Sequence, residues 1–187
     1  LERAGADCIQ LEDQVSPKRC GHFAGKDVVQ ASEMIGKIQA ACDARRDKNL
    51  LIMARTDAAA VHGFDAAVER AQQYAEAGAD LLFVEAVTEL EHVRALPQRL
   101  AVPQLMNMVI GGKTPITSAQ ELGQLGYGLV LYANAALQGA VAGMQKALTA
   151  LRDTQRIDES AGLVATFAER QRLVRKPEWD ALETKYK

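Results

Sequence analysis

With 187 residues, 48% of them hydrophobic, and a formal charge of −2 from 22 basic and 24 acidic side chains, the chain can bury one sizeable core but lacks the basic excess that binds nucleic acid by bulk charge. No apolar run approaches the roughly 20 residues that span a bilayer, and the first residues do not read as a signal peptide, so no membrane partner is expected. The three cysteines, Cys8, Cys20 and Cys42, are odd in number and lack C-x-x-C spacing, which disfavours a disulfide framework or structural zinc and fits a reducing, cytoplasmic setting.

Leu1 to Asp7 reads as the tail of a helix. The apolar run Cys8 to Leu11 predicts a first strand that ends on Glu12 and Asp13. Behind it, Pro17 and Gly21 flank Cys20 in a turn-rich loop, where Lys18, Arg19 and His22 supply the positive surroundings that poise a reactive thiol. The same residues also fit a solvated charged loop that happens to hold a cysteine. A helix follows, with Ser32 as N-cap and Ile35, Ile38 and Cys42 on one face. Leu50 to Ala54 predicts the second strand, ending on Arg55, Thr56 and Asp57, before a helix capped by Asp65, with Val68, Ala71 and Ala75 on one face, that stops at Gly78. The third strand, Leu81 to Val84, ends on Glu85. Thr88 and Glu91 have capping-box spacing at the start of the next helix, as do Ser118 and Glu121 further on, where Gly126 is the stop. Gln104 to Val109, carrying Asn107, and Leu129 to Tyr132, reaching Asn134, complete five strands. The stripe Leu137, Val141, Met144, Leu148 and Leu151 predicts a long helix, and Leu163 with Phe167, then Trp179, Leu182 and Tyr186 beyond Pro177, predict two more. His62 and His92 lack ligand spacing and read as surface or packing residues, and Cys8 and Cys42 as buried small hydrophobes.

Near-continuous apolar runs alternating with amphipathic helices are the signature of a parallel α/β fold, since such strands are buried on both faces. Each polar residue at a strand end fits a turn or a cap when taken singly. Parallel strands point one way, however, so five polar ends in succession gather at a single rim, which in a (β/α) barrel is the active-site face.

Glu12-Asp13-Gln14 with Lys18-Arg19-Cys20-Gly21-His22, Met53 to Asp57, Phe83 to Ala86, and Asn107-Met108-Val109 leading to Gly111-Gly112-Lys113-Thr114-Pro115 resemble the isocitrate lyase and phosphoenolpyruvate mutase superfamily, and the Lys-Arg-Cys-Gly-His element resembles its lyase-type branch. The resemblance runs from the first residue to about the end of the helix after Asn134. It implies a (β/α)8 TIM-type barrel of which this chain supplies the last five strands, over residues 1–153, followed by C-terminal helices over 154–187 that pack on a neighbouring subunit of a homo-oligomer, a tetramer. A complete barrel takes about 250 residues, and the superfamily's Asp-x-Asp metal element belongs before Leu1.

The implied activity is a magnesium-dependent cleavage of a carbon–carbon bond in a 2-hydroxy di- or tricarboxylate of the 2-methylisocitrate or 2,3-dimethylmalate type, giving a 2-oxo acid and a carboxylate. By the resemblance, Glu12 belongs to the Mg²⁺ shell, commonly through water, and Cys20 protonates the enolate left by bond breaking. Lys18, Arg19, Gly21 and His22 surround that chemistry, Arg55 grips a substrate carboxylate, Glu85 positions a hydroxyl, His22 or a water, and Asn107 and Thr114 meet a carboxylate. The segment Met108 to Gly112 is closer to the members that act on dimethylmalate, oxaloacetate or phosphonates. A phosphonomutase or oxaloacetate-processing enzyme on the same scaffold, or an inactive fragment, therefore stands as the alternative.

Overall fold

The five apolar runs form five short parallel strands in a computed structural model that describes residues 1–20, 25–114 and 118–187: β1 (Cys8–Glu12), β2 (Leu51–Thr56), β3 (Leu81–Val84), β4 (Leu105–Asn107) and β5 (Leu129–Leu131). β1, β2 and β3 lie side by side, as do β4 and β5, and a single parallel bridge between Leu82 and Gln104 joins the two groups. The crossovers carry α1 (Ala31–Ala44) after β1, α2 (Ala58–His62) and α3 (Phe64–Glu76) after β2, α4 (Leu90–Arg99) after β3 and α5 (Ala119–Leu125) after β4. The α/β alternation is as the sequence predicts. The strands do not close into a barrel: β1 pairs on one side only, which leaves Cys8 exposed rather than buried as expected. Cys42 is half-buried on α1, its thiol donating to the Gly78 carbonyl at 3.3 Å.

The main core fills the space between sheet and helices, with Met34 and Ile38 of α1, Val68, Ala71 and Tyr74 of α3, Val93 and Leu96 of α4 and Leu122 of α5 packed among Ala54, Leu82, Val84 and Met106. The two-residue alternation of the strands turns Met53, Leu81, Phe83 and Leu105 into a second, smaller cluster. Arg55 shares that second face, and its guanidinium lies over the Phe83 ring at 5.1 Å.

Helix starts show how local hydrogen bonding competes with sequence pattern. The Ser118 box forms as predicted: the Ser118 hydroxyl accepts from the Glu121 amide at 3.2 Å, and the Glu121 carboxylate accepts from the Ser118 amide at 2.9 Å. Gly126 ends that helix at φ +106°, a conformation costly for a residue with a Cβ. Thr88 forms no box, because α4 starts one residue later, from Glu89, and the Thr88 hydroxyl turns to the Glu89 side chain. Ser32 lies inside α1, whose N-cap is Gln30, and Asp65 lies in the first turn of α3 behind Gly63. His92 stacks on Phe64, ring centroids 3.9 Å apart, the packing role expected of it.

Leu1–Ala133 forms one compact unit and Asn134–Lys187 a second. The second consists of α6 (Ala135–Thr154), α7 (Phe167–Leu173) and α8 (Lys176–Tyr186), and Leu163 falls ahead of α7 instead of within it. The stripe of Leu137, Val141, Met144, Leu148 and Leu151 is present on α6 and exposed. Among the described residues no helix is long and apolar enough to cross a membrane.

Candidate active site

Register brings the charged strand ends together. Glu12 is the pairing partner of Arg55 across β1 and β2. The ladder continues beyond the strands, the Asp13 amide donating to the Arg55 carbonyl at 3.2 Å and the Glu85 amide to the Thr56 carbonyl at 2.9 Å. Glu12 and Arg55 are therefore level at the carboxyl ends of β1 and β2, and Glu85, two residues beyond Arg55's partner Phe83, stands just past the end of β3 on the same side. Arg55 is at the centre: Nε and Nη2 donate to the two Asp57 oxygens at 2.9 and 3.2 Å, Nη1 lies 3.2 Å from Glu85, and Nε lies 3.5 Å from Glu12. Lys26, whose side chain is 3% exposed, reaches Asp57 Oδ1 at 3.0 Å. Lys18 stands at the margin, 3.6 Å from Glu12.

Backbone geometry fixes the Glu85 carboxylate as well. Ala86 has φ +59°, which is uncommon for a residue with a Cβ, and its amide donates back to Glu85 Oε1 at 3.0 Å. Asn107, at the end of β4, is buried, and its Oδ1 has no hydrogen-bond partner among the described residues. Thr114 is buried in the segment after β4. The loop after β1 is tied at its base by an antiparallel bridge between Gln14 and Val28. The Gln14 side chain grips the Arg19 backbone from both sides, accepting from its amide at 2.8 Å and donating to its carbonyl at 2.9 Å, so the residue before Cys20 is held. Cys20 is exposed. Gly21 and His22 lie outside the described residues.

The sequence reading did not place Lys26, Asp57, Asp13, Arg70 and Tyr74 in the site. Asp13 and Asp57 carried a signal as strand-end acids. Lys26, Arg70 and Tyr74 carried none, since nothing local distinguishes them from solvated or packing residues.

Burial pushes the Asp57 carboxyl up, but the Arg55 hydrogen bonds and charge, with Lys26 behind them, outweigh it and hold the group below its ordinary value near 3.8. A carboxyl whose folded pKa is depressed contributes stability that is complete above the unfolded value and is lost as pH falls through the folded one. The urea midpoint should hold down to about pH 5 and then fall more steeply in the parent than in Asp57→Asn. Parallel acid limbs in the two proteins would refute this assignment.

A magnesium ion takes about six oxygens in near-octahedral geometry, usually one or two carboxylates with waters and substrate atoms. Glu12 and Glu85 are donors of that kind, but both lie against Arg55. Among the described residues no group of three or more His, Cys, Asp or Glu side chains could hold a metal ion. The described residues alone thus do not make a magnesium centre.

The phosphoenolpyruvate phosphomutase family model matches residues 1–152. The chain is 43% identical over 166 residues to 2,3-dimethylmalate lyase from Eubacterium barkeri, covering 89% of the chain and 56% of that enzyme. It is 52% identical over 132 residues to 2-methylisocitrate lyase from Aeropyrum pernix, covering 71% of the chain and 42% of the relative. The crystal structure of phosphonopyruvate hydrolase in complex with oxalate and Mg²⁺ superposes with a TM-score of 0.79 at 30% identity, covering 99% of this chain and 64% of that one. The chain spans about half the length of the curated relatives it matches.

Proposed function

The chain belongs to the phosphoenolpyruvate phosphomutase family, and from that premise we propose that it carries the carboxylate-binding rim of a magnesium-dependent lyase. The reaction is cleavage of a 2-hydroxy di- or tricarboxylate, of the 2,3-dimethylmalate or 2-methylisocitrate type, into a 2-oxo acid and a second carboxylate. The observation that carries this reading is the gathering of the Glu12 and Glu85 carboxylates about the Arg55 guanidinium at three parallel strand ends.

A guanidinium has five N–H donors. Two of Arg55's are bound to Asp57 and one on Nη1 faces Glu85, which leaves one hydrogen on Nη1 and one on Nη2 for the paired bonds that a substrate carboxylate accepts and a lysine cannot match. The Asn107 side-chain NH2 and the Thr114 hydroxyl donate to a second carboxylate, while the buried Asn107 Oδ1, an acceptor without a partner among the described residues, suits a substrate hydroxyl. Glu85, fixed by the Ala86 amide, orients a substrate hydroxyl or a water. The substrate hydroxyl gives up its proton to the water that Glu85 orients, which passes it to solvent; the bond from the carbinol carbon to its neighbour then breaks, leaving its electron pair on that neighbour as an enolate while the former hydroxyl oxygen becomes the carbonyl of the 2-oxo acid. Cys20 then transfers its thiol proton to that carbon and is left as thiolate until solvent reprotonates it, with Lys18, Arg19, Gly21 and His22 its neighbours in sequence. Glu12 would take part in holding a Mg²⁺ ion, which would supply Lewis acidity toward the 2-oxygen. The exposed apolar stripe of α6 supports association with further copies of the chain, and the homo-oligomer, a tetramer in the cytoplasm, is proposed on the resemblance.

The test is release of a 2-oxo acid by the whole protein from a panel of 2-hydroxy di- and tricarboxylates, with oxaloacetate and phosphonopyruvate included. Release is expected with Mg²⁺, lost on chelation and restored by added Mg²⁺. Turnover of oxaloacetate or phosphonopyruvate alone, or of nothing in the panel, overturns the lyase reading.

A further inference from the structure

We propose that Arg70 and Tyr74 of α3 are positioning residues that act through the buried Asp13 carboxylate to hold the Glu12 and Arg55–Asp57 strand ends in line. Asp13 follows Glu12 directly and is fully buried. Its Oδ1 accepts from the Asp57 amide at 3.0 Å, while its own amide donates to the Arg55 carbonyl at 3.2 Å. These two bonds clamp β1 to β2 beyond their last register pair, at the point where Glu12 and Arg55 leave the sheet.

The other oxygen of Asp13 is held from the helix layer. Oδ2 accepts from the Tyr74 hydroxyl at 2.9 Å and lies 3.4 Å from Arg70 Nη1. Arg70 and Tyr74 are four residues apart and so share a face of α3, and Arg70 Nη1 also reaches the Tyr74 hydroxyl at 3.2 Å. The same Nη1 donates to the Val29 carbonyl at 2.8 Å, while the Val29 amide donates to the Asp13 carbonyl at 2.8 Å. One network thus fixes the first strand end, the second strand end and the return of the loop that carries Cys20. Burial and the Asp13 charge push the Tyr74 phenol well above its ordinary value, so it remains a donor through the working pH range.

A buried ionic network is seldom the cheapest way to stabilise a fold, since apolar residues of similar volume serve as well or better. Its fixed bond directions instead suit a requirement for alignment, where an error of about 1 Å costs on the order of a hundredfold in rate. The kinetic consequence rests on the lyase reading above, and the geometric one does not.

The experiment compares Tyr74→Phe and Arg70→Met with the parent in the whole protein, following hydrogen exchange at the Asp57 and Leu82 amides together with kcat and KM for the substrate that the panel identifies. Exchange at Asp57 is expected to rise about tenfold, with Leu82 at the sheet centre unchanged. kcat is expected to fall about tenfold or more and KM to move by less than about twofold, because Arg55 keeps its bonds to Asp57 and loses only alignment. Unchanged exchange at Asp57, an equal rise at Leu82, or raised exchange with unchanged kcat would each overturn the inference. A parent that releases no oxo acid sinks the lyase reading, and the exchange result then decides the positioning role alone.

Discussion

Arg55→Met is expected to lower the free energy of unfolding by about 3–5 kcal/mol, the range for removing one partner from a buried charge cluster. The side chains of Asp57 and Glu85 are 0% and 3% exposed, and both form ion pairs with this guanidinium. Methionine keeps an unbranched stem beside Phe83 and so preserves much of the packing, but it removes the guanidinium from two buried carboxylates. Arg55→Lys should lose less, since the charge survives and only the two-pronged geometry is lost. The pH response separates lost charge pairing from lost packing. In the methionine variant the buried Asp57 carboxyl loses the hydrogen bonds and charge that offset its burial and is pushed toward the protonated form, so mild acid should recover part of the deficit, whereas the parent loses stability as pH falls through the depressed Asp57 value. Urea titrations across that range check both signs. A loss below about 1 kcal/mol, or identical pH slopes, would show that Arg55 is not what holds these acids.

The elements that were legible in the sequence are those set by short-range pattern. Leu81 to Val84 reads as a buried strand because it is apolar without a break, and the Ser118 box because its partners are three residues apart. Glu12, Arg55 and Glu85 were readable as a set since parallel pairing carries each strand end to the same rim. What the sequence could not show were contacts made across long separations by side chains of ordinary local appearance. Tyr74 meets Asp13 at a separation of 61 residues and Lys26 meets Asp57 at 31, and neither spacing has a periodic signature. Cys8 failed for a different reason: a continuous apolar run places it on a strand, but burial depends on a neighbour on each side, and among the described residues β1 pairs with β2 alone. Thr88 shows that spacing alone does not make a cap, because the box needs the chain to enter the helix at that residue, and α4 begins one residue later than the Thr88–Glu91 spacing requires.

Cys20→Ser is expected to lower oxo-acid release by about 10²–10⁴-fold, the range for loss of a positioned general acid, while substrate binding in the presence of Mg²⁺ is retained. Serine keeps the shape and a hydrogen-bonding group, yet its hydroxyl is a far weaker acid than a thiol, whose ordinary pKa is about 8.5. The substitution therefore removes proton delivery and little else. The Gln14 clamp on the Arg19 backbone does not involve the Cys20 side chain, so the loop base should keep its form. Titration calorimetry with the panel's substrate reads binding separately from turnover, and the equivalent serine variants of Cys8 and Cys42 control for general thiol effects. Both controls should keep parental rates, Cys8 because it lies at the opposite end of β1 from Glu12 and Cys42 because it faces Gly78. Turnover that survives Cys20→Ser would assign the proton to another donor at the rim and remove the thiol from the mechanism. Loss of binding together with turnover would make Cys20 a substrate contact instead of the acid.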